Sequence, residues 1–311
     1  MATSIQAQPD SISEYISHAP NPKISIIVPA YNEQAGISHT LDLLCREEYF
    51  QNAEIIVIDD GSTDNTAQIV RSFKQVRLIH HLVNRGYGSS ICTGTRAANG
   101  EYIVWFDSDG QHQVNDLVSI CTKLIDEQLE YCIGVRDSAS YQDPSRKPGK
   151  WLLKQAVNFS VGRSVPDFNS GLRGFRHDVL HAYLHLLPKG FGASTLTTLL
   201  MIEGNHYGAT LPITVVERTA GGKSTVRQFR DGMRTLQIIL HIVLLFKPLK
   251  FFGILGIGFI LVGAVYAFIK ASINHLGVPI SASLLIILGM QSFFFGLLCD
   301  QISALRRERF S

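Results

Sequence analysis

Charged side chains are scarce in this chain. Asp, Glu, Lys and Arg make up 17% of its 311 residues, where soluble domains carry about 25%. With a mean hydropathy of +0.13, part of the chain is built for a medium other than water. An excess of either sign is missing too. Lys plus Arg number 28 and Asp plus Glu 26, a net charge of +2. That excludes a nucleic-acid binder working through bulk charge. Cys45, Cys92, Cys121, Cys132 and Cys299 are scattered, odd in number and without a CxxC pair. A disulfide scaffold is excluded, a zinc site is not supported, and reduced, buried thiols in a cytosolic setting are expected. The compositions of disordered and collagen-like chains are absent, and no internal repeat is visible. The N-terminus lacks an apolar signal segment. Residues 1–22 are polar and are expected to form a flexible N-terminus.

The apolar residues gather at the other end. Phe251–Ile269 and Ser281–Cys299 are uncharged runs of 19 residues each, close to the ~20 that cross a bilayer as a helix. Gly253, Gly256, Gly258 and Gly263 suit close helix contact in lipid. A link holding Gly277 and Pro279 makes the two runs a hairpin over 249–300. Lys247 and Lys250 precede it, and Arg306, Arg307 and Arg309 follow in a basic tail over 301–311. The positive-inside rule then sets both ends, and the large N-terminal body, in the cytoplasm. Residues 229–248 carry Leu236, Ile239, Leu240, Val243 and Leu244 at helical spacing with basic residues between them. They read either as an interfacial helix at the headgroups or as an amphipathic helix packed on the body. Arg227, Arg230 and Arg234 form a row facing either lipid phosphate or water.

Residues 23–228 read as alternating strands and helices. Ile24–Val28, Glu54–Ile58, Val76–His80, Glu101–Phe106 and Tyr131–Val135 are short β-branched or apolar runs. Ile37–Arg46, Asp64–Phe73 and Tyr87–Ala98 have helical patterns between them, and Ser62 or Thr63 is expected to cap the second. This order predicts an α/β domain with a mostly parallel sheet and helices on both faces. Ligands in such folds bind beyond the carboxyl ends of the strands. Polar residues cluster there: Tyr31-Asn32-Glu33, Asp59-Asp60 and Asp107-Ser108-Asp109.

Asp107 and Asp109, two residues apart after a buried strand, can gather around one hard divalent cation, and Gln111 or His112 can add a ligand or a polar contact. Such a metal would neutralise charge on a diphosphate leaving group. Asp60 can accept hydrogen bonds from a nucleobase or ribose, while Ser62 or Asp64 serves the helix behind it. Tyr31 offers an aromatic face and Glu33 a carboxylate at a crevice mouth.

Three segments resemble glycosyltransferase family 2 in order and spacing: Ile26–Glu33, Ile58–Asp64 and Asp107–His112. With the C-terminal hairpin, the chain is similar to the polyprenyl-phosphate sugar transferase branch, of the dolichol-phosphate mannosyltransferase type, in bacterial or archaeal membranes. The resemblance implies a GT-A (Rossmann-like) fold, a nucleotide-sugar donor (UDP- or GDP-linked), Mg²⁺ or Mn²⁺, and inversion at the anomeric carbon. It implies that Pro29, Tyr31, Glu33, Ile58 and Asp60 hold the nucleoside. Asp107, Ser108 and Asp109 would meet the diphosphate and metal, with Gln111 as a further ligand. Arg136 is another donor contact. Glu217–Ser224 resembles a basic loop over the diphosphate, with Arg218 and Lys223 as donor ligands; its Gly221-Gly222-Lys223-Ser224 departs from the family's usual glycine followed by Ser-Lys. Asp167–Phe175 resembles the acceptor loop, through Asn169, Ser170, Gly171 and Arg173. The planar guanidinium of Arg173 suits a phosphate monoester, which makes it a catalytic candidate beside Asp107 and Asp109.

The expected acceptor is polyprenyl phosphate, undecaprenyl or dolichyl. A lipid phosphate is ionised near neutral pH and attacks without a general base. A hydroxyl on a lipid-linked or membrane glycan is the alternative acceptor and would need one, for which Asp167 is the candidate. A catalytically silent membrane scaffold is the third reading. His177, His181 and His185, at spacing four, read as a solvated or packed helix face. Association of copies through the hairpin is left open.

Overall fold

The computed structural model describes residues 23–136, 155, 158, 170–190, 192–215, 240, 244, 247–274 and 278–308. Outside these lie the N-terminus 1–22, Asp167, Asn169, Arg218 and Lys223, the row Arg227-Arg230-Arg234, nearly all of 229–246, and Arg309. Two compact units are present, one within Met1–Pro144 and Pro166–Thr225, the other within Ser145–Val165 and Val226–Ser311.

In the first unit, β1 (Ile24–Ala30) leads into α1 (Ile37–Arg46), then β2 (Glu54–Asp59), α2 (Thr66–Arg71), β3 (Val76–His80) and α3 (Tyr87–Ala97). There follow β4 (Tyr102–Trp105), α4 (Val114–Asp126), β5 (Tyr131–Arg136), β6 (Arg173–Arg176), α5 (His177–Tyr183), α6 (Ala193–Glu203) and β7 (Gly208–Ile213). The strands form one sheet in the order β3-β2-β1-β4-β6-β5-β7. β1, β2, β3 and β4 are mutually parallel, and β5 pairs parallel with β7. β6 alone runs antiparallel, between β4 and β5.

Alternation along β1 divides the core. Ile24, Ile26 and Val28 pack in one cluster with Ile37, Leu41 and Leu44 of α1, Val70 of α2, and Leu117, Ile120 and Leu124 of α4. On the other face, Gly94 of α3 lies so close that an added Cβ would strike Ile27 and meet Ile58. The central strands, covered on both faces, are therefore buried along their length and largely apolar, as parallel strands are. All five cysteines are free thiols, and burial pushes Cys132 up to about 12, which makes it an inert packing residue.

Two local expectations are corrected. The hydroxyl of Ser62 does not cap α2 but accepts from Asn32 N at 2.9 Å; the carboxylate that takes the N–H of Thr66, at 2.9 Å, belongs to Asp64. Arg173–Phe175, read as part of a polar loop, lies in the strand β6, because β4 and β5 present open edges that its backbone fills.

The second unit holds α7 (Pro248–Asn274) and α8 (Ile280–Glu308), both long and apolar enough to cross a membrane by length and composition. They pack through small residues. A Cβ on Gly256 would press on the carbonyl of Gly289, and one on Gly289 on the carbonyl of Gly256. Gly263 abuts Ala282, and Gly296 abuts Phe252. Ala282, Gly289 and Gly296 thus recur every seven residues along the contact face of α8, and backbones close where side chains are absent. A Cβ on Gly253 or Gly258 would meet no other described residue within 4 Å.

Candidate active site

The loops after β1 and β2 are stitched together. Asn32, at φ +54°, accepts from Thr63 N at 2.8 Å through its side-chain oxygen. Glu33 N donates to Thr66 Oγ1 at 2.9 Å and Gln34 N to Asp64 Oδ2 at 3.2 Å. This leaves Tyr31 standing 47% exposed at the mouth, with Glu33 half-buried beside it.

Two Asp–His pairs bridge the ends of β2 and β3. His80 Nδ1 lies 2.8 Å from Asp59 Oδ2, and His81 Nδ1 lies 2.7 Å from Asp60 Oδ1. His81 is wholly buried, and its Nε2 meets Thr93 Oγ1 at 3.0 Å. Asp60 also accepts from the N–H groups of Arg85, at 2.9 Å, and Gly86, at 2.7 Å. It thereby shapes the turn from β3 into α3, where Gly86 takes φ +93°, a conformation natural to glycine.

Beyond β4, Tyr87 Oη donates to Asp107 Oδ1 at 3.1 Å. Burial first, then the Asp107 charge, raise the Tyr87 pKa well above its usual value, against a smaller lowering from Arg173; the phenol remains a donor. His112 Nε2 sits 3.8 Å from Asp107 Oδ2. Gly171 comes so close that a Cβ there would fall on the same carboxylate oxygen. Asp109 Oδ1 accepts from Gln111 N at 3.1 Å across the Gly110 turn. Ser108 turns inward, donating to the Pro29 carbonyl at 2.9 Å, and so ties β4 to β1.

Arg173, the first residue of β6, is wholly buried. Its guanidinium donates to the carbonyl of Ser170, to Ser194 O at 2.5 Å, to Thr197 Oγ1 at 2.9 Å and to Thr198 Oγ1 at 3.1 Å. It also lies 5.6 Å from the centre of the Trp105 ring. A cation so enclosed is an internal strut between the acceptor-type segment and α6, not an open phosphate clamp. Ser170 Oγ is buried and has no partner among the described residues.

The fold thus gathers Asp107, Gly171 and His112 at one point, with Asp109 and Gln111 on the adjoining turn. Arg136 ends β5, half-buried. Pro29 and Ile58 lie inside the sheet layers, Ile58 wholly so, because they are register partners facing α3. Their side chains are core residues, and only their backbone reaches the strand ends. His177 bonds Gly100 O at 3.0 Å through Nδ1 and stacks edge-on against His181. Tyr87 and His81, which contact Asp107 and Asp60, and Thr93 behind His81 are neighbours of the candidate site that sequence reading missed. The only signal was the Gly86-Tyr87-Gly88 turn opening a helix after a strand.

Among the described residues no three His, Cys, Asp or Glu side chains form a metal cluster. Asp107 and Asp109 nonetheless fit an open magnesium-type site. Such sites use one or two carboxylates and leave the remaining positions to water and substrate phosphates. The oxygen donors suit a hard cation, and Asp107 is preset by Tyr87.

A mostly parallel α/β sheet with acidic strand ends and one antiparallel strand set between β4 and β5 is an architecture that binds ligands beyond the carboxyl ends of its strands. The chain matches Glycosyl transferase family 2 over residues 25–184, half of its length, and the GtrB C-terminal hairpin over 247–305. It belongs to glycosyl transferase family 2 and is a glycosyltransferase. It is 30% identical over 184 residues to the UDP-N-acetylglucosamine–dolichyl-phosphate N-acetylglucosaminyltransferase of Methanococcus voltae, covering 50% of this chain and 70% of that one. It is 33% identical over 167 residues to an uncharacterized protein of Methanocaldococcus jannaschii, covering 50% of this chain and 65% of that one, just under two thirds of its length. Glucosyl-3-phosphoglycerate synthase of Mycobacterium tuberculosis, solved with Mn²⁺, UDP and phosphoglyceric acid, aligns with a TM-score of 0.54 at 20% identity, over 71% of this chain and 78% of that one. S. aureus TarS aligns with a TM-score of 0.52 at 19% identity, over 71% and 65%. These likenesses establish the GT-A fold.

Proposed function

We propose that this glycosyltransferase moves a sugar from a UDP- or GDP-linked donor to polyprenyl phosphate, undecaprenyl or dolichyl, at the cytoplasmic face of the membrane that holds its hairpin. One observation carries the reading: Gly171, in the acceptor-type segment, abuts the Asp107 carboxylate. Acceptor and donor diphosphate would therefore meet at one carboxylate. The M. voltae relative, named for a dolichyl-phosphate acceptor, supports the same choice. The basic residues flanking the hairpin support the cytoplasmic orientation.

Tyr31 would stack on the base, with Glu33 and Asp60 at the nucleoside and the backbones of Pro29 and Ile58 lining the floor. Asp107, Asp109 and Gln111 would hold Mg²⁺ or Mn²⁺, which when bound offsets charge on the diphosphate. Ser108 would contribute through its backbone. Arg136, Arg218 and Lys223 would meet the diphosphate, and Asn169, Ser170 and Gly171 the acceptor phosphate. Arg173 acts from inside, as a positioning residue for Ser170.

The acceptor phosphate is already ionised, so the protein's work is alignment and charge stabilisation. One phosphate oxygen bonds to the anomeric carbon. The bond from that carbon to the diphosphate breaks, and its electron pair leaves with the nucleoside diphosphate. A single in-line displacement inverts the centre.

The test is purified protein in detergent with undecaprenyl or dolichyl phosphate, Mg²⁺ or Mn²⁺, and a panel of radiolabelled nucleotide sugars. Label should enter the organic phase as an acid-labile glycosyl phosphate, and should be lost with EDTA. An acid-stable glycoside would identify a hydroxyl acceptor instead. Donor binding without any transfer would point to a scaffold.

A further inference from the structure

The turn after β3 does more than hold Asp60. Its tip is Leu82-Val83, exposed by 77% and 64%. Among the described residues of the first unit, no other two adjacent large apolar side chains are exposed. The tip is held at both ends. His81 N donates to Asp59 O at 2.9 Å, and the N–H groups of Arg85 and Gly86 are taken by Asp60. From beneath, Gly61 presses on the backbone of Val83 and Asn84, close enough that no Cβ would fit. Two aliphatic side chains are therefore presented to solvent by a braced loop.

Cations flank the tip. Arg85 is exposed on the same loop, and Lys189 is exposed on the segment packed against it. Ser89 N donates to Lys189 O at 3.0 Å and Ser89 Oγ to Arg85 O at 2.9 Å, which keeps the two segments together. An apolar pair edged by basic side chains is the surface chemistry of a bilayer interface. The aliphatic groups enter the acyl boundary, and the cations stay among anionic headgroups.

The position agrees. The tip lies at the carboxyl ends of the strands, the same pole as Asp107, and a lipid-borne phosphate can reach Asp107 only if that pole faces headgroups. We infer that Leu82-Val83, with Arg85 and Lys189, is a membrane-contact tip that seats the catalytic pole on an anionic lipid surface. Its catalytic benefit rests on the lipid-phosphate reading above; contact with the bilayer itself does not.

The full chain is reconstituted in phosphatidylcholine–phosphatidylglycerol vesicles whose phosphatidylcholine carries brominated acyl chains. The added emission of Leu82→Trp, after subtraction of the unsubstituted chain with its Trp105 and Trp151, should be quenched by the bromine. In the same vesicles bearing undecaprenyl phosphate, Leu82→Ser with Val83→Ser should raise the apparent KM for the lipid about tenfold. Transfer to a short-chain, water-soluble prenyl phosphate should be unchanged. Both side chains are exposed, so the fold should survive; Asn84→Ser serves as the control. Absence of quenching overturns the inference. So does an equal loss on both acceptors, or cross-linking between copies through Leu82→Cys in place of quenching. Quenching in a protein that transfers to neither acceptor would leave the membrane tip standing and the lipid-phosphate reading overturned.

Discussion

The phenolic hydroxyl of Tyr87, in the first turn of α3, donates to Asp107 Oδ1 at the end of β4 across 3.1 Å. Because burial and the Asp107 charge raise its pKa, this phenol stays protonated through the physiological range and continues to donate. Tyr87→Phe removes that bond and little volume. Turnover should fall about tenfold, in line with one hydrogen bond to a charged acceptor. Higher Mg²⁺ or Mn²⁺ should recover part of the loss. Steady-state kinetics across a metal titration measures it, and unchanged kinetics would remove Tyr87 from the site.

Asp109→Ala should abolish transfer, by about 100-fold or more, as EDTA should in the unsubstituted protein. Donor binding followed by calorimetry should weaken in parallel. Full activity of either sample in EDTA would contradict a metal site at Asp107 and Asp109.

Gly171→Ala is a test of close approach. The added methyl would fall on the Asp107 carboxylate, so either the acceptor-type segment or Asp107 must move. A displacement near 1 Å at reacting groups costs about 100-fold in rate. Circular dichroism should remain that of the parent while turnover collapses.

Arg173→Met should act on stability first. It leaves the Ser170 and Ser194 carbonyls without their buried donor, which costs about 2–3 kcal/mol. A lower Tm of the full chain in detergent is expected. Arg173→Lys should restore part of it, since an ammonium reaches fewer of these acceptors. A parent-like Tm with weakened lipid-phosphate binding would return Arg173 to the role of a ligand.

Glu130 links folding to acid. Burial alone would raise its pKa, but the N–H of Tyr207, then His206 and Arg176, outweigh it and bring it below the ordinary 4.5. A carboxyl lowered in the folded state stabilises above its unfolded value and loses that contribution as pH falls through the folded one. Stability should therefore decline below about pH 4.5, and Glu130→Gln should flatten the decline. A pH-stability curve that is the same with and without Glu130 would contradict it.

The sequence by itself determined many of the local elements of this protein. β-branched runs such as Val76–His80 and the helical pattern of Ile37–Arg46 carry their own structure, and the observed elements share those bounds. The acidic strand ends and the two long apolar runs were legible for the same reason: each is local, and its chemistry is explicit in residue type. Only the tertiary structure decided what those residues touch. Arg173–Arg176 has neither alternation nor strong β propensity, and it is a strand because two neighbouring edges accept it. Ile58 and Pro29 sit at strand ends in sequence yet face α3 in space. Asp60 looks outward in a motif, and only the tertiary structure shows that its carboxylate also holds His81 and the turn after β3. Gly171 meets Asp107 across 64 positions of chain, and no local pattern encodes a contact that chain folding alone creates.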